Sequence, residues 1–329
     1  MKLRAQACWV SEPRKAEIRD LQLEEPGEGS ALVRTLYSAI SRGTETLVYE
    51  GRVPEGEHSR MRAPFQEGEF PGPVKYGYIN VGVVEQGPEE LKGKEVFCLF
   101  PHQSRYVVPA SALTPLVSGL AGERAVLLAG METALNAVWD AQPKVGDRVR
   151  VVGGGVIGCL CAYLVGQIAG CSVQLIDVNP SRESVAHALG VDFALPKDAG
   201  AEADLVLHAS GSEDGLRLAL RLAGLEATIV EVSWFGTGDV GLPLGGAFHS
   251  QRLRVVSSQV GTLPESQRSR WTFQRRLQCA MELLKDPRLD VLISGESDFA
   301  ELPETLAEIT NSSATLCHRI RYPAAAPGA

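Results

Sequence analysis

Three glycines near the middle of the chain have the spacing of a phosphate-binding turn. The stretch GGGVIG sets Gly153, Gly155 and Gly158 in a GxGxxG pattern directly after the strand-like run RVRVV. The first glycine permits a tight turn, the second lets a pyrophosphate approach the backbone, and the third lets a helix pack closely on the strand. The first amides of that helix, at Val156 and Ile157, would point at the phosphates. The sequence therefore predicts a dinucleotide-binding turn.

A carboxylate ends the next predicted strand, SVQLID. This residue, Asp177, follows Gly158 by about 20 residues, the usual distance for a group that accepts hydrogen bonds from the adenosine ribose. A carboxylate there would repel a 2′-phosphate, so we expect NAD(H) to be preferred over NADP(H). Arg182 could instead pair with a 2′-phosphate or stack on adenine. Alternatively, Asp177 caps a turn and Arg182 is solvated.

Both motifs lie where predicted strands and helices alternate. From about residue 123 onward, the strand-like runs are RVRVV, SVQLID, ADLVLHA, ATIVEV and LRVVSSQ, with helix-like segments such as EDGLRLALRLAG between them. The segment SRESVAHALG fits a helix with Ser181 as its N-cap and Gly190 after its end. This alternation is typical of a doubly wound α/β parallel sheet, a Rossmann-type domain with helices on both faces.

The first 120 residues instead alternate short β-type runs with glycine, proline and charged turns. Within them, residues 49–73 hold several prolines and are predicted to form a long ordered loop. After about residue 264 a helical run and a short β-type run, LCHRIRY, follow, and we expect the last residues, PAAAPGA, to lack order. The predicted organisation is a β-rich domain of residues 1–120, completed by residues 265–329, and a Rossmann domain of residues 121–264.

Composition narrows the class of protein further. The formal net charge is −8, which argues against nucleic acid or an anionic membrane as a partner. The N-terminus is charged throughout, unlike a signal peptide, and no apolar run reaches the roughly 20 residues of a membrane span. Seven scattered cysteines without a CxxC pair argue against a disulfide framework. We therefore expect a cytoplasmic protein.

Several further segments resemble the medium-chain dehydrogenase/reductase superfamily. GYINVGVV is similar to its GHExxGxV segment, SRGTE to its CGTD segment, and METALNAVWDA to the helix that leads into its cofactor domain. The SxGTE segment and the GY dipeptide most resemble the branch that contains bacteriochlorophyllide a dehydrogenase. The resemblance implies an α/β fold in which a GroES-like, β-rich catalytic domain accompanies the Rossmann domain.

The chain departs from this family at the positions of the catalytic zinc ligands. Zinc prefers thiolate, imidazole or carboxylate ligands in a tetrahedral arrangement. The residues at or beside the ligand positions are Ser41, Arg42, Tyr78, Ile79, Ala129 and Gly130. The four cysteines of a structural zinc site are also missing. We therefore expect no bound metal and a reaction that does not depend on zinc.

The resemblance also implies residues for the substrate cleft and the cofactor. The candidate catalytic residues, as proton donors, acceptors or groups that tune them, are Thr44, Glu45, Tyr78 and His102. The candidate cleft residues are Arg42, Gln103, Glu132 and Trp234. Further candidate cofactor contacts are Thr133, Ser210 and Gly211. The nearby His208 is more typical of a core residue at a strand end.

The leading functional hypothesis is hydride transfer between NAD(H) and a secondary alcohol or ketone. The alternatives are an enoyl or quinone reductase, most of which use NADPH, and a dinucleotide-binding protein without turnover. The substrate is expected to be a small molecule. By resemblance we also expect a homodimer that pairs an edge strand, predicted at VGLPLGG (240–246).

Overall fold

The computed structural model describes residues 3–312 and 314–323 and divides the chain into two compact units. The first unit runs to Ala129 and includes Met281–Lys285 and the residues from Ile293 onward. The second unit comprises Gly130–Ala280 and Asp286–Leu292. Residues 121–129 thus lie in the first unit and residues 265–280 in the second. The sequence had predicted residues 121–129 in the Rossmann domain and residues 265–280 in the β-rich domain. The predicted disorder of the C-terminal tail concerns residues 324–329, outside the described residues.

The regular elements follow in chain order. The strands are β1 (Leu3–Glu12), β2 (Lys15–Leu23), β3 (Ser30–Ile40), β4 (Glu67–Gly68), β5 (Val74–Lys75), β6 (Asn80–Gln86), β7 (Glu95–Cys98), β8 (Arg105–Pro109), β9 (Thr114–Pro115), β10 (Arg148–Val152), β11 (Ser172–Ile176), β12 (Asp192–Ala194), β13 (Ala203–His208), β14 (Ala223–Glu231), β15 (Arg254–Ser257), β16 (Ile293–Asp298) and β17 (Cys317–Arg321). The α-helices are α1 (Arg42–Tyr49), α2 (Gly122–Ala125), α3 (Leu128–Ala141), α4 (Val156–Gly166), α5 (Arg182–Leu189), α6 (Glu213–Leu222), α7 (Phe273–Leu283) and α8 (Leu302–Thr310).

The first unit is built from two mainly antiparallel sheets. The smaller sheet has the order β2-β1-β5-β4, and the larger has the order β16-β17-β3-β6-β7-β9, with β8 also paired to β3. Alternate residues of β3, β6 and β8, among them Val33, Val84 and Val108, pack with the stacked rings of Phe100 and Tyr106. This apolar cluster fixes the central strand β3, from whose end α1 begins.

The second unit contains a six-stranded parallel sheet in the order β12-β11-β10-β13-β14-β15. The chain starts in the middle at β10, moves outward to β12 and returns to β13 on the other side of β10. The order therefore reverses between β10 and β13, the place where such sheets bind ligands beyond the strand ends. The apolar face of α6, including Leu216, Ala219 and Leu220, is buried against Ile229 and its neighbours.

The edge strand of this sheet is not the predicted one. Residues 240–246 form no strand, and Leu244–Phe248 is a short π-helical turn. The prediction at 240–246 is wrong because Pro243 cannot donate to a strand ladder and the adjoining glycines disfavour extended structure. The edge is β15, whose residues are all exposed, including Val255 and Val256.

Local helix signals were mostly reliable. Gly190 ends α5 in the left-handed conformation with φ 78°, as predicted, although Ser181 makes no side-chain cap. Ser212 caps α6 by accepting a hydrogen bond from the Gly215 amide. Across residues 3–312 and 314–323, every helix is too short or too polar to traverse a lipid bilayer.

Candidate functional site

The glycine turn joins β10 to α4 as the sequence predicted. Gly153 has φ 109°, and a Cβ there would lie 2.6 Å from the Ser210 amide nitrogen, so only glycine fits. A Cβ on Gly158 would overlap the Gly153 carbonyl oxygen, whereas one on Gly155 would meet nothing within 4 Å. The turn therefore packs tightly on the protein side and leaves open space at Gly155, where α4 begins. Open space before helix amides is what a phosphate group requires.

Asp177 lies directly against this turn. Its Oδ2 accepts a hydrogen bond from the Gly154 amide at 2.6 Å, and its Oδ1 accepts one from the Asn179 amide at 2.8 Å. Asp177 therefore does cap two turns, but each carboxylate oxygen keeps a second lone pair for a ribose hydroxyl. The Arg182 side chain packs beside Gly154 and is only 5% exposed. Solvation of Arg182, the alternative raised from sequence, is thus wrong.

Other predicted cofactor residues of the second unit occupy the strand ends and α3. Ser210 and Gly211 follow β13 and are exposed, and the Gly211 amide donates to Ser233 Oγ at 3.0 Å. Thr133 lies half-buried on α3. Trp234, a predicted cleft residue, is half-buried in the segment after β14.

In the first unit, three hydroxyl groups meet where α1 begins. The Tyr78 hydroxyl donates to Ser41 Oγ at 2.5 Å and also makes a side-chain hydrogen bond with Thr44. Ser41 precedes α1 and Thr44 lies in its first turn, while Tyr78 lies just before β6. The structure thus brings together two predicted catalytic residues, Thr44 and Tyr78, with Ser41. We call these three residues the hydroxyl cluster.

A buried acid–base pair adjoins this cluster. Glu45 Oε1 accepts from the Ser41 amide at 2.8 Å, and Glu45 Oε2 lies 2.9 Å from His102 Nε2. The other ring nitrogen of His102 lies 2.7 Å from Ser38 Oγ, which in turn is 3.0 Å from the Tyr322 hydroxyl. Glu45 and His102 are 4% and 2% exposed. The cavity they line has a volume of about 10 Å³, room for at most one water.

Direct proton exchange between a substrate and Glu45 or His102 therefore does not agree with this geometry. Both polar ends of His102 are occupied, and no substrate fits the cavity beside it. The pair instead fixes the Ser41 amide and, through it, the start of α1. Burial and then the charge of Glu45 raise the pKa of Tyr78 to about 12, while its hydrogen bonds to Ser41 and Thr44 oppose the rise. Tyr78 is consequently a neutral phenol at physiological pH.

Two predicted cleft residues, Gln103 and Glu132, make hydrogen bonds or ion pairs inside the protein. Gln103 is 1% exposed, accepts from the Lys75 ammonium at 2.6 Å and donates to the Arg105 carbonyl. Glu132 is 7% exposed and pairs with Arg276 at 3.1 Å. Both side chains are buried in internal hydrogen bonds, and their contact with a substrate stays a prediction.

Arg42 likewise has an internal role. Its guanidinium donates to the carbonyl oxygens of Ser312 and Thr315, so it ties α1 to the loop before β17. Glu45 pairs with His102.

No family model matches the chain. The chain is 28% identical over 306 residues to D-guloside 3-dehydrogenase of Escherichia coli K12, covering 83% of this chain and 87% of that one. It is 29% identical over 281 residues to 2-desacetyl-2-hydroxyethyl bacteriochlorophyllide A dehydrogenase of Cereibacter sphaeroides, covering 78% of this chain and 82% of the relative.

Solved structures show the same fold over nearly the full length. L-idonate 5-dehydrogenase of Escherichia coli has a TM-score of 0.79 at 17% identity, with 98% of this chain and 99% of that one covered. An alcohol dehydrogenase of Escherichia coli CFT073 complexed with NADH has a TM-score of 0.76 at 16% identity, with 97% and 99% covered. The chain is thus similar in sequence and in fold to dehydrogenases of the medium-chain dehydrogenase/reductase superfamily. The predicted fold class, a GroES-like domain with a Rossmann domain, is confirmed.

The positions that resemble the zinc-ligand positions of this superfamily do not present a zinc donor set in this chain. Ser41 and Tyr78 supply a hydroxyl and a phenol, and the side chains of Ala129 and Gly130 supply no donor atom. Glu45 and His102 are bound to each other. In the described part of the chain, no group of three or more His, Cys, Asp or Glu residues could hold a metal ion. The residues therefore do not fit a tetrahedral zinc site.

Sequence reasoning missed Ser38, Tyr322 and Glu231 as members of polar networks. Ser38 and Tyr322 meet only because β17 pairs with β3, at a separation of 284 residues. Glu231 meets His208 because both end neighbouring parallel strands. The second pair could have been predicted, because His208 and Glu231 are polar residues that each end a parallel strand, and such strands end at the same edge of the sheet.

Proposed function

We propose that this chain is a medium-chain dehydrogenase/reductase that transfers hydride between NAD(H) and a secondary alcohol or its ketone without a catalytic metal. The single observation that carries the proposal is the hydroxyl cluster of Ser41, Thr44 and Tyr78. Its hydroxyl groups can donate and accept protons, and they lie where the superfamily has its catalytic zinc ligands. The relatives named above, dehydrogenases of D-guloside and of 2-desacetyl-2-hydroxyethyl bacteriochlorophyllide A, support an alcohol substrate. The D-guloside enzyme favours a sugar-derived alcohol.

The second unit supplies the features expected of a dinucleotide site. The open space at Gly155, the start of α4 and the carboxylate of Asp177 support a pyrophosphate and an adenosine ribose there. A bound nicotinamide would supply or accept the hydride. Asp177 favours NAD(H) over NADP(H), because its charge would repel a 2′-phosphate.

The cofactor preference can be measured directly. We expect a smaller dissociation constant for NADH than for NADPH, and Asp177→Ala should narrow the difference. The exposed Asp214→Ala is the control for the loss of one acidic side chain. Equal or inverted affinities in the unmutated protein would overturn the assignment to NAD(H).

In the first unit, Tyr78 is the proposed proton donor. During ketone reduction its O–H gives a proton to the oxygen of the developing alkoxide, and during alcohol oxidation it takes the proton back. Ser41 and Thr44 stabilise the phenolate by hydrogen bonds. Glu45 and His102 hold the Ser41 amide and thereby the cluster.

Turnover measurements test this assignment. We expect Tyr78→Phe to lower kcat by roughly 10²-fold, the usual size of a general-acid contribution. His102→Ala should lower kcat less, because His102 acts through Glu45 and Ser41. Tyr37→Phe, which alters an exposed tyrosine hydrogen bond, is the matched control. Near-normal turnover of both Tyr78→Phe and His102→Ala would refute the proposal.

Metal analysis and a substrate panel address the alternatives. We expect no stoichiometric zinc and no loss of activity on chelation, and about one zinc per chain with chelator sensitivity would contradict us. Sugar-derived alcohols with NAD should react in preference to enones or quinones with NADH or NADPH. Turnover of enones or quinones alone would favour the reductase alternative, and NADH binding without any turnover would favour a non-catalytic role.

We further propose a homodimer formed through β15, because its exposed residues leave a strand edge available for pairing.

A further inference from the structure

A basic segment of the second unit has no part in the reaction proposed above. Between Glu265 and Glu282 the chain has four arginines and no acidic residue. The arginines are Arg268, Arg270, Arg275 and Arg276. The whole chain has a formal net charge of −8, so this run of positive charge is opposite in sign to the protein as a whole. We call residues 266–276 the arginine segment.

Two of the four arginines already have carboxylate partners. Arg276 is 3% exposed, and its guanidinium donates to Glu132 at 3.1 Å and to Asn136 at 2.6 Å. This buried contact holds the start of α7 against α3. Arg268 pairs with Glu265 at 3.0 Å on the surface. The charges of Arg276 and Arg268 are therefore balanced inside the protein.

Arg270 and Arg275 carry charges that no carboxylate balances in the described part of the chain. Both residues are exposed. The Arg270 guanidinium reaches the Gln267 side-chain oxygen at 3.4 Å, and Arg275 Nη1 donates to the carbonyl oxygen of Arg270 at 2.7 Å. A guanidinium has five N–H donors. Across residues 3–312 and 314–323, most donors of these two side chains are thus available to a ligand.

Arg275 is held in place before any ligand binds. Its Cζ lies 4.0 Å from the centroid of the Trp271 ring, and Trp271 packs on Trp139 of α3 with ring centroids 4.7 Å apart. The stacking and the hydrogen bond to Arg270 restrict the side chain, so less conformational entropy is lost on binding. A fixed, planar guanidinium matches a carboxylate or a phosphate, which it can bind through two parallel hydrogen bonds.

The arginine segment is tied to the carboxyl end of β15. Val260, shortly beyond that strand, accepts a hydrogen bond from Arg276 Nη1 at 2.9 Å. Ligands of such parallel sheets bind outside the carboxyl ends of the strands. Asp177, on the proposed adenosine side, follows β11, whereas β15 is the edge strand on the other side of β10. The arginine segment is thus connected to the half of this edge where the nicotinamide and the substrate would bind.

We infer that Arg270 and Arg275 bind an anionic group of the substrate, a carboxylate or a phosphate monoester on a sugar-derived alcohol. The two arginines act on substrate selection and take no part in hydride or proton transfer. The inference rests on the proposed function and narrows the substrate from an alcohol to an anionic alcohol.

Titration calorimetry with three six-carbon probes tests the inference. The probes are glucitol, which is neutral, gluconate, which has a carboxylate, and glucitol 6-phosphate. The full chain is saturated with NADH, so that the alcohols are not oxidised. We expect at least one anion to bind about tenfold more tightly than glucitol. The anion that binds more tightly distinguishes a carboxylate substrate from a phosphate substrate.

Variants locate the preference on the two arginines. Arg270→Gln and Arg275→Gln should each remove most of the preference for the anion and leave the affinities for glucitol and NADH unchanged. Arg275→Lys keeps the charge but loses the planar fork, so it should not restore the preference. Arg268→Gln is the matched control, because Arg268 lies in the same segment and already pairs with Glu265.

Several results would overturn the inference. They are equal affinity for glucitol and both anions, no measurable binding of either anion, and a preference that Arg268→Gln weakens as much as Arg275→Gln does. Loss of glucitol or NADH affinity in Arg270→Gln or Arg275→Gln would assign a structural role instead. Turnover of neutral alcohols without preference for anions would overturn the inference alone. Anion binding without turnover of any alcohol with NAD would refute the proposed function.

Discussion

Removal of the Glu45 charge should make Tyr78 more acidic. Burial and Glu45 together raise the Tyr78 pKa from 10.0 to about 12, and burial is the larger cause. In Glu45→Gln burial persists, so we expect the pKa to fall by about one unit, ~1.4 kcal/mol. At pH 11 the ionised fraction of Tyr78 would then rise from about one tenth to about one half.

The direction in which pH changes the stability of the fold follows from the form of Tyr78 that the fold favours. A raised tyrosine pKa means that the fold favours the neutral phenol, so its stabilisation is complete below pH 10 and is lost as pH rises toward 12. In Glu45→Gln that loss should end nearer pH 11.

The assay is carbon NMR of tyrosine labelled at Cζ, followed from pH 7 to 11.5. Tyr78→Phe identifies the resonance, and Glu55→Gln, an exposed carboxylate, controls for the change of charge. An unchanged or higher Tyr78 pKa in Glu45→Gln would show that Glu45 does not act on the phenol as we argue.

Three further predictions concern the second unit. Glu132→Ala leaves the Arg276 guanidinium buried without its carboxylate, and urea denaturation should show a loss of about 3–5 kcal/mol in the free energy of unfolding; a loss under ~1 kcal/mol would argue against a buried ion pair. Gly153→Ala places a Cβ within 2.6 Å of the Ser210 amide at a residue with positive φ. Titration should therefore show at least tenfold weaker NADH binding. Unchanged NADH affinity would contradict the tight packing of the turn. Val256→Lys adds charge to the exposed edge β15, so light scattering should show a monomer where the unmutated protein is a dimer; a Val256→Lys dimer would place the interface elsewhere.

Much of the second unit could be predicted from local patterns. The glycine turn, Asp177 and the parallel strands depend on residues close together in the sequence, where spacing alone determines geometry. The false strand at 240–246 shows the limit of this approach. Its apolar residues alternate, but Pro243 and three glycines disfavour a ladder, and the true edge lies at β15.

The polar networks were less predictable, because they depend on which strand ends become neighbours. The resemblance placed Tyr78, Thr44, Glu45 and His102 in one candidate set, but the burial of His102, Glu45 and Gln103 could not be read from their residue types. Polar side chains are usually exposed unless they are paired, and the pairs form only after the sheets assemble.

The pairing of β17 with β3 has a consequence for biosynthesis. The ribosome releases β3 long before β17, because Ser38 and its partner Tyr322 are 284 residues apart. During that interval the nascent chain holds an incomplete sheet with an open ladder along β3, a surface on which other chains could add strands. Residues 130–280, by contrast, emerge as one continuous stretch with every strand of their sheet. The parallel sheet of the second unit can therefore assemble before β17 is synthesised, whereas the larger sheet of the first unit, which carries Tyr78, cannot be completed until β17 has emerged from the ribosome.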